Sequence, residues 1–175
     1  MEIVQTNSNE YQSEITSLYV EVFSTGKSMQ YIDKYKLNLY ISQLLTHGFA
    51  LLAIDKNEVI GAVLVCPLGF DKLLPVAISS RFNIAKCLYV AEVMVAGKEQ
   101  GKGIGKALMK STFAAIDTSV YSDVFIRVWG ENTPAISLYE TIGFKPVATI
   151  EQIQKRHDGN GTFVMNKIYL HKKMN

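Results

Sequence analysis

The stretch that most restricts how this chain can fold is Gln100, Gly101, Lys102, Gly103, Ile104, Gly105 and Lys106. It follows a β-rich run over 88–95. It opens a segment, 103–116, whose apolar residues Ile104, Leu108 and Ala115, beside Met109, Phe113 and Ile116, fall on one side of a helix. Alternating glycines strip side chains from a strand-to-helix turn, and the free N–H groups of the first helical turn, backed by the helix dipole, then point at whatever approaches. Lys102 and Lys106 add local positive charge. A plain tight turn also uses glycine. Each glycine costs up to about 1 kcal/mol of conformational entropy, however, and three in alternation exceed what a turn needs. The loop is expected to hold an anion.

Two common phosphate loops fail on spacing. A GxxxxGK[ST] loop needs one more residue than Gly101 to Lys106 supplies, and Ala107 stands where the hydroxyl belongs; the other lysine candidate, Gly26, Lys27, Ser28, has Glu21 in place of the first glycine. A GxGxxG loop needs glycine at 106, which is lysine, and an acidic residue at the end of a second strand, whereas Asp123 precedes its strand.

Around the loop the chain alternates periods. Residues 1–5 suit a short strand; Tyr11, Ile15, Leu18, Tyr19 and Val22 mark an amphipathic helix broken over 24–28; Leu37, Ile41, Leu44 and Leu45 mark a second, closed near Gly48. Residues 49–54 and 59–66 read as a hairpin over Asp55, Lys56, Asn57 and Glu58, ended by Pro67. Residues 68–85 carry no firm pattern, Gly69 and Pro75 pointing to a loop or broken helical insert. Beyond the loop helix come a strand at 124–129, a helix at 134–142, and a closing hairpin of 144–153 with 162–170. Hairpins at both ends of a strand, helix, strand, helix, strand core imply an α/β fold: a mixed sheet with helices on both faces.

Length and composition set bounds. A chain of 175 residues, 48% apolar and 19% charged, suits one globular domain over 1–175. A formal charge of +2 gives no field to steer it onto nucleic acid or an anionic membrane. Its apolar runs are too short to span a bilayer and its start is polar, so a cytoplasmic location is expected. Cys66 and Cys87 lack metal or redox spacing and read as buried free thiols. His47, His157 and His171 form no metal spacing and read as surface residues.

The pattern from Gln100 to Gly105, set between a strand ending at Val95 and a helix continuing Ala107, Leu108, Met109, resembles the acetyl-CoA loop of the GNAT acetyltransferases. A second segment, Asn132, Thr133, Pro134, Ala135, then Leu138, Tyr139, Gly143 and Phe144, resembles that family's other cofactor-contacting helix. The resemblance covers roughly residues 88–145. Gly97, Lys98 and Glu99 depart from it, replacing the more usual proline and aromatic residues before the loop. It implies the GNAT acyl-CoA N-acyltransferase fold, a mostly antiparallel sheet of six to seven strands with helices on both faces. It also implies that acetyl-CoA is the cosubstrate, with no metal, and that its diphosphate lies on the amides of Gln100, Gly101, Lys102, Gly103, Ile104, Gly105 and Lys106. Asn132 and Tyr139 would complete the cofactor site. In the family the strand before the loop parts from its neighbour at a bulge; here that would free main-chain groups of Val93, Met94 and Val95 to grip the pantetheine arm and the thioester oxygen, as N–H donors stabilise developing oxyanions elsewhere.

Two side chains carry the chemistry in this reading, each with a bland alternative. Tyr139, at i+4 from Ala135, lies on the buried face of a helix capped by Asn132 or Thr133 and stopped by Gly143; it is either a core aromatic or, at the family position it matches, the donor of a proton to the departing CoA thiolate. Glu92 is the only carboxylate of its strand. It either faces solvent and pairs with a lysine or is a buried base that removes a proton from the amine. The implied activity is transfer of the acetyl group to a primary amine of a small molecule or of a protein or peptide, by direct attack in a ternary complex. The alternative is a non-catalytic CoA-binding regulator. Tyr31, Tyr35 and Tyr40 are candidates to line the acceptor site, though aromatic residues on a helix are more often core; nothing names the acceptor, and a homodimer is compatible with the sequence.

Overall fold

In a computed structural model, which describes residues 1–25 and 29–174, hairpins supply most of a seven-stranded sheet. β1 (Glu2–Thr6) pairs antiparallel with β2 (Phe49–Asp55), and β2 with β3 (Glu58–Pro67). Lys56 and Asn57 join the latter two with φ of 49° and 64°, the two left-handed residues that a type I′ hairpin turn requires. β6 (Lys145–Lys155) and β7 (Thr162–Lys173) form the closing hairpin, both longer than the sequence pattern suggests. Between the hairpins lie β4 (Cys87–Val95) and β5 (Asp123–Trp129). The sheet order is β1-β2-β3-β4-β5-β7-β6, and only the β4–β5 pair is parallel. The mixed, mostly antiparallel sheet expected from the sequence is therefore present.

Helices cover both faces. α1 (Gln12–Ser24) and α2 (Lys34–His47) place Ile15, Leu18, Leu37, Ile41, Leu44 and Leu45 on one face, against Leu52, Leu64, Tyr89, Met94, Phe125 and Tyr169. Asp33 caps α2 by accepting from the amides of Tyr35 and Lys36 at 3.0 and 3.1 Å. The expected break after α1 falls on residues 24–28, of which 26–28 lie outside the described residues. Gly48 follows α2 as expected, for a steric reason: its φ is −144°, and a Cβ there would sit 1.8 Å from the Val65 carbonyl oxygen of β3. Between β3 and β4, residues 68–86 form two 3₁₀ turns, Leu68–Phe70 and Ile84–Lys86, around a one-turn α3 (Val76–Ser79).

The opposite face carries α4 (Ile104–Ala115) and α5 (Thr133–Thr141). Here Ile104, Leu108, Met109 and Tyr139 pack on Leu51, Val63, Val65, Leu88, Val90 and Ile126. Cys66 and Cys87 are free and buried, and burial pushes their thiols up to about 12 and about 11. His171 corrects its reading as a surface residue: its Nε2 lies 2.7 Å from Asp123 Oδ1, and its ring packs on Phe82 and Phe125 with centroids 4.8 and 4.9 Å away. No helix among the described residues is long and apolar enough to cross a membrane.

Candidate active site

The loop after β4 is shaped by its glycines in two ways. Gly101 and Gly103 have φ of 78° and 80°, and a Cβ on either would meet nothing within 4 Å. Glycine there serves the left-handed backbone, and the space in front stays open. Gly105 instead lets α4 approach α5, since its Cβ would lie 3.4 Å from Leu138. None of the amides from Gly101 to Lys106 donates to a protein acceptor among the described residues; the first to do so is Ala107, to Gly103 O at 3.0 Å. Six consecutive amides at a helix N-terminus are thus available to an anion. The frame around them is tied down: Gln100 Nε2 donates to Val95 O at 3.1 Å, and the Gly97 amide donates to Glu21 Oε1 at 2.9 Å. Lys102 is drawn to Glu99 at 2.9 Å, so its charge is partly offset, while Lys106 is exposed.

β4 changes partners ahead of this loop. Its parallel register with β5 runs only from Cys87↔Asp123 to Val90↔Ile126, although both strands continue. On its other side Leu64 pairs with Glu92 and Val65 with Val90, leaving Ala91 as an extra residue in a bulge. Beyond Val90 the side of β4 that would face β5, including main chain at Val93, Met94 and Val95, has no strand partner.

The bulge also sets the direction of Glu92. Before it, Tyr89 faces α1 and α2 while Leu88 and Val90 face α4; after it, Met94 faces α1 and α2 while Val93 and Val95 pack toward α4. The alternation has slipped by one residue, which carries every later side chain to the other face. Glu92 therefore points under α2, where Tyr40 Oη donates to its Oε1 at 2.8 Å. Burial pushes the Glu92 carboxyl up to about 7, opposed by the Tyr40 hydrogen bond and by the charges of Lys167 and Arg127.

Tyr139 lies on the opposite face. Asn132 caps α5 by accepting from the Ala135 amide at 3.3 Å, and Pro134 occupies the first turn. This fixes Tyr139 against Phe144, the residue 5% exposed. No protein group hydrogen-bonds its hydroxyl among the described residues. Burial, then the charge of Glu92, raise its phenol well above the ordinary tyrosine value.

The residues that sequence reasoning missed lie on the Glu92 face. Arg127 Nη1 donates to Asp71 Oδ1 and to Tyr169 Oη, both at 2.8 Å, and Tyr169 donates to Asp71 Oδ2 at 2.7 Å. Lys167 lies across from Trp129 on β7. Their signal was present: an arginine or lysine inside an otherwise apolar strand needs a partner or a task. A cleft of about 540 Å³ is lined by Tyr19, Tyr31, Asp33, Lys36, Lys155 and Tyr40, the residue that donates to Glu92. Its rim is closed where the Tyr31 amide donates to Lys155 O at 3.1 Å and the His157 amide to Met29 O at 3.0 Å, linking the α1–α2 connection to the β6–β7 hairpin.

The sequence model of the acetyltransferase (GNAT) family matches residues 12–144, which include β4, the loop, α4 and α5. The chain belongs to that family. An N-alpha-acetyltransferase of Sulfurisphaera tokodaii is 26% identical over 137 residues, 76% of this chain and 77% of that one. Among solved structures, a ribosomal-protein-alanine N-acetyltransferase from Brucella melitensis superposes with a TM-score of 0.73 at 15% identity, over 99% of this chain and all of that one. A GNAT family acetyltransferase from Elizabethkingia anophelis, solved with acetyl-CoA bound, gives 0.65 at 20% identity over 99% and 97% of the two chains. Within this GNAT acetyltransferase, the loop from Gln100 to Lys106 follows the parted end of β4, with Glu92 on the α1–α2 face of the sheet and Tyr139 on the α4–α5 face. Tyr31 and Tyr35 are exposed, and only Tyr40 of the three candidate tyrosines reaches a reactive group.

Proposed function

We propose that this GNAT protein transfers the acetyl group of acetyl-CoA to a primary amine by direct attack in a ternary complex. The observation that carries the reading is the run of six amides from Gly101 to Lys106 that donate to no protein acceptor among the described residues, with open space at Gly101 and Gly103, beside a strand whose β5-facing edge has no strand partner beyond Val90. That is a fit for a diphosphate continued by an extended amide-bearing arm. Acetyl-CoA bound to a relative of the same fold supports the choice of anion. The relative named N-alpha-acetyltransferase supports nitrogen as the acceptor atom.

Each residue then has a task. The amides of the loop hold the diphosphate, with Lys106 adding charge. Main-chain N–H groups freed beyond the Ala91 bulge stabilise the negative charge that builds on the thioester oxygen. An alkyl ammonium with pKa near 10.4 must lose a proton before it can attack. Glu92, pushed to about 7, is a stronger base than an ordinary carboxylate and is still substantially ionised at neutral pH. As the C–S bond breaks, the Tyr139 hydroxyl passes its proton to the CoA sulfur, which leaves as the thiol, and it regains a proton from the acylated nitrogen, the role its unpartnered hydroxyl leaves open.

Release of free thiol from acetyl-CoA tests the reading, measured against simple amines, polyamines, aminoglycosides and peptide N-termini. Acceptor-dependent release is expected for at least one class. Tight CoA binding without turnover across the panel would instead leave a CoA-binding regulator.

A further inference from the structure

We infer that the acceptor carries a carboxylate beside its amine, and that Lys167 binds that carboxylate. The inference rests on the transferase reading above and names the substrate class of the same site. On the face below α1 and α2, Arg127↔Tyr169↔Ala148 form one cross-strand row and Trp129↔Lys167↔Ile150 the next, toward the end where β4 has left β5. Lys167 therefore borders the opening in which Glu92 lies.

The other charged groups near it are already matched. Arg127 is paired with Asp71 and hydrogen-bonded to Tyr169. Glu92 accepts from Tyr40. Lys155, at the rim, lies 4.6 Å over the ring of Tyr31. Lys167 makes no ion pair and no side-chain hydrogen bond among the described residues, and its half-buried ammonium is desolvated enough to lower its pKa despite the Glu92 charge. Glu92 is beyond ion-pair distance of it.

A half-buried ammonium with no protein counter-charge at hand and the like charge of Arg127 nearby has lost part of its hydration, and an incoming anion offsets that loss. A molecule with its ammonium at Glu92 and its carboxylate at Lys167 matches both ends at once. A plain alkyl amine would leave Lys167 bare.

Binding alone can test this. The CoA-loaded full chain is titrated with three matched pairs of acetylated products, N-acetylglycine, N-acetyl-β-alanine and N-acetylphenylalanine, each against its neutral amide. A charge-assisted contact predicts that at least one acid binds roughly tenfold to a hundredfold tighter than its amide. Lys167→Arg should keep most of that preference, and Lys167→Gln should reduce it to about unity; Lys167→Met replaces the glutamine variant if that does not fold. No preference in the wild type for any pair, or a preference that survives loss of the lysine charge, overturns the assignment. Because the titration reads no turnover, an inactive enzyme would refute the transferase reading separately.

Discussion

Glu92 concentrates the testable chemistry at the scale of single residues. Its carboxyl is raised to about 7 because burial outweighs the Tyr40 hydrogen bond and two nearby cations. The base form is the deprotonated one, so kcat should climb about tenfold per pH unit below 7 and level off above it. Glu92→Gln should abolish that bend and slow transfer roughly a hundredfold. The same shift acts on stability with the opposite sense. A folded pKa above the unfolded value means the native state holds the extra proton between about 4.5 and about 7, so stability falls as pH rises through that window and stays low above it. At pH 8 Glu92→Gln should therefore be more stable than wild type, by an amount bounded on the order of 3 kcal/mol, as read by urea denaturation. Tyr139→Phe should lower kcat at least about tenfold with little change in the KM for acetyl-CoA, since only a leaving-group contact is lost. Equal turnover would make Tyr139 a packing residue.

Among elements, the loop was legible because its information is local: three glycines, two lysines and a helix that starts beside them. Gly103→Ala tests the backbone part of that reading. Holding alanine at φ 80° costs about 1–2 kcal/mol, so the KM for acetyl-CoA should rise roughly fivefold to thirtyfold while the helix α4 persists by circular dichroism. A bulge in this strand was implied by the family resemblance, but its position at Ala91 was not legible. It is one small residue in a run of strand formers, and strict alternation from Leu88 puts Glu92 on the α4 face instead of beneath Tyr40. Residues 68–86 stayed opaque for a related reason. Their arrangement depends on Asp71 meeting Arg127 and Tyr169, residues 56 and 98 positions away, and no local pattern encodes such a meeting.

Across the whole molecule, hydrophobic periodicity was enough to give the order of strands and helices and the covering of both faces. The Glu92 side was not, because it is assembled from polar residues scattered over α2, β4, β5 and β7. The buried Asp71, Arg127 and Tyr169 group fastens residues 68–86 to two strands. Asp71→Ala should strip Arg127 of its counter-charge and lower unfolding free energy by about 3–5 kcal/mol, measured by urea titration. The four-residue register between β4 and β5 has a wider consequence. The sheet is two leaves, β1 to β4 and β5 to β6, stitched by that short seam. A molecule wedged in the unstitched part fastens one leaf to the other, so its arrival should slow amide exchange at Ala91–Val95 and at Arg127–Trp129 in a single concerted step. The enzyme would then be stiffest only while it is loaded, and the release of product would be the moment at which its leaves loosen.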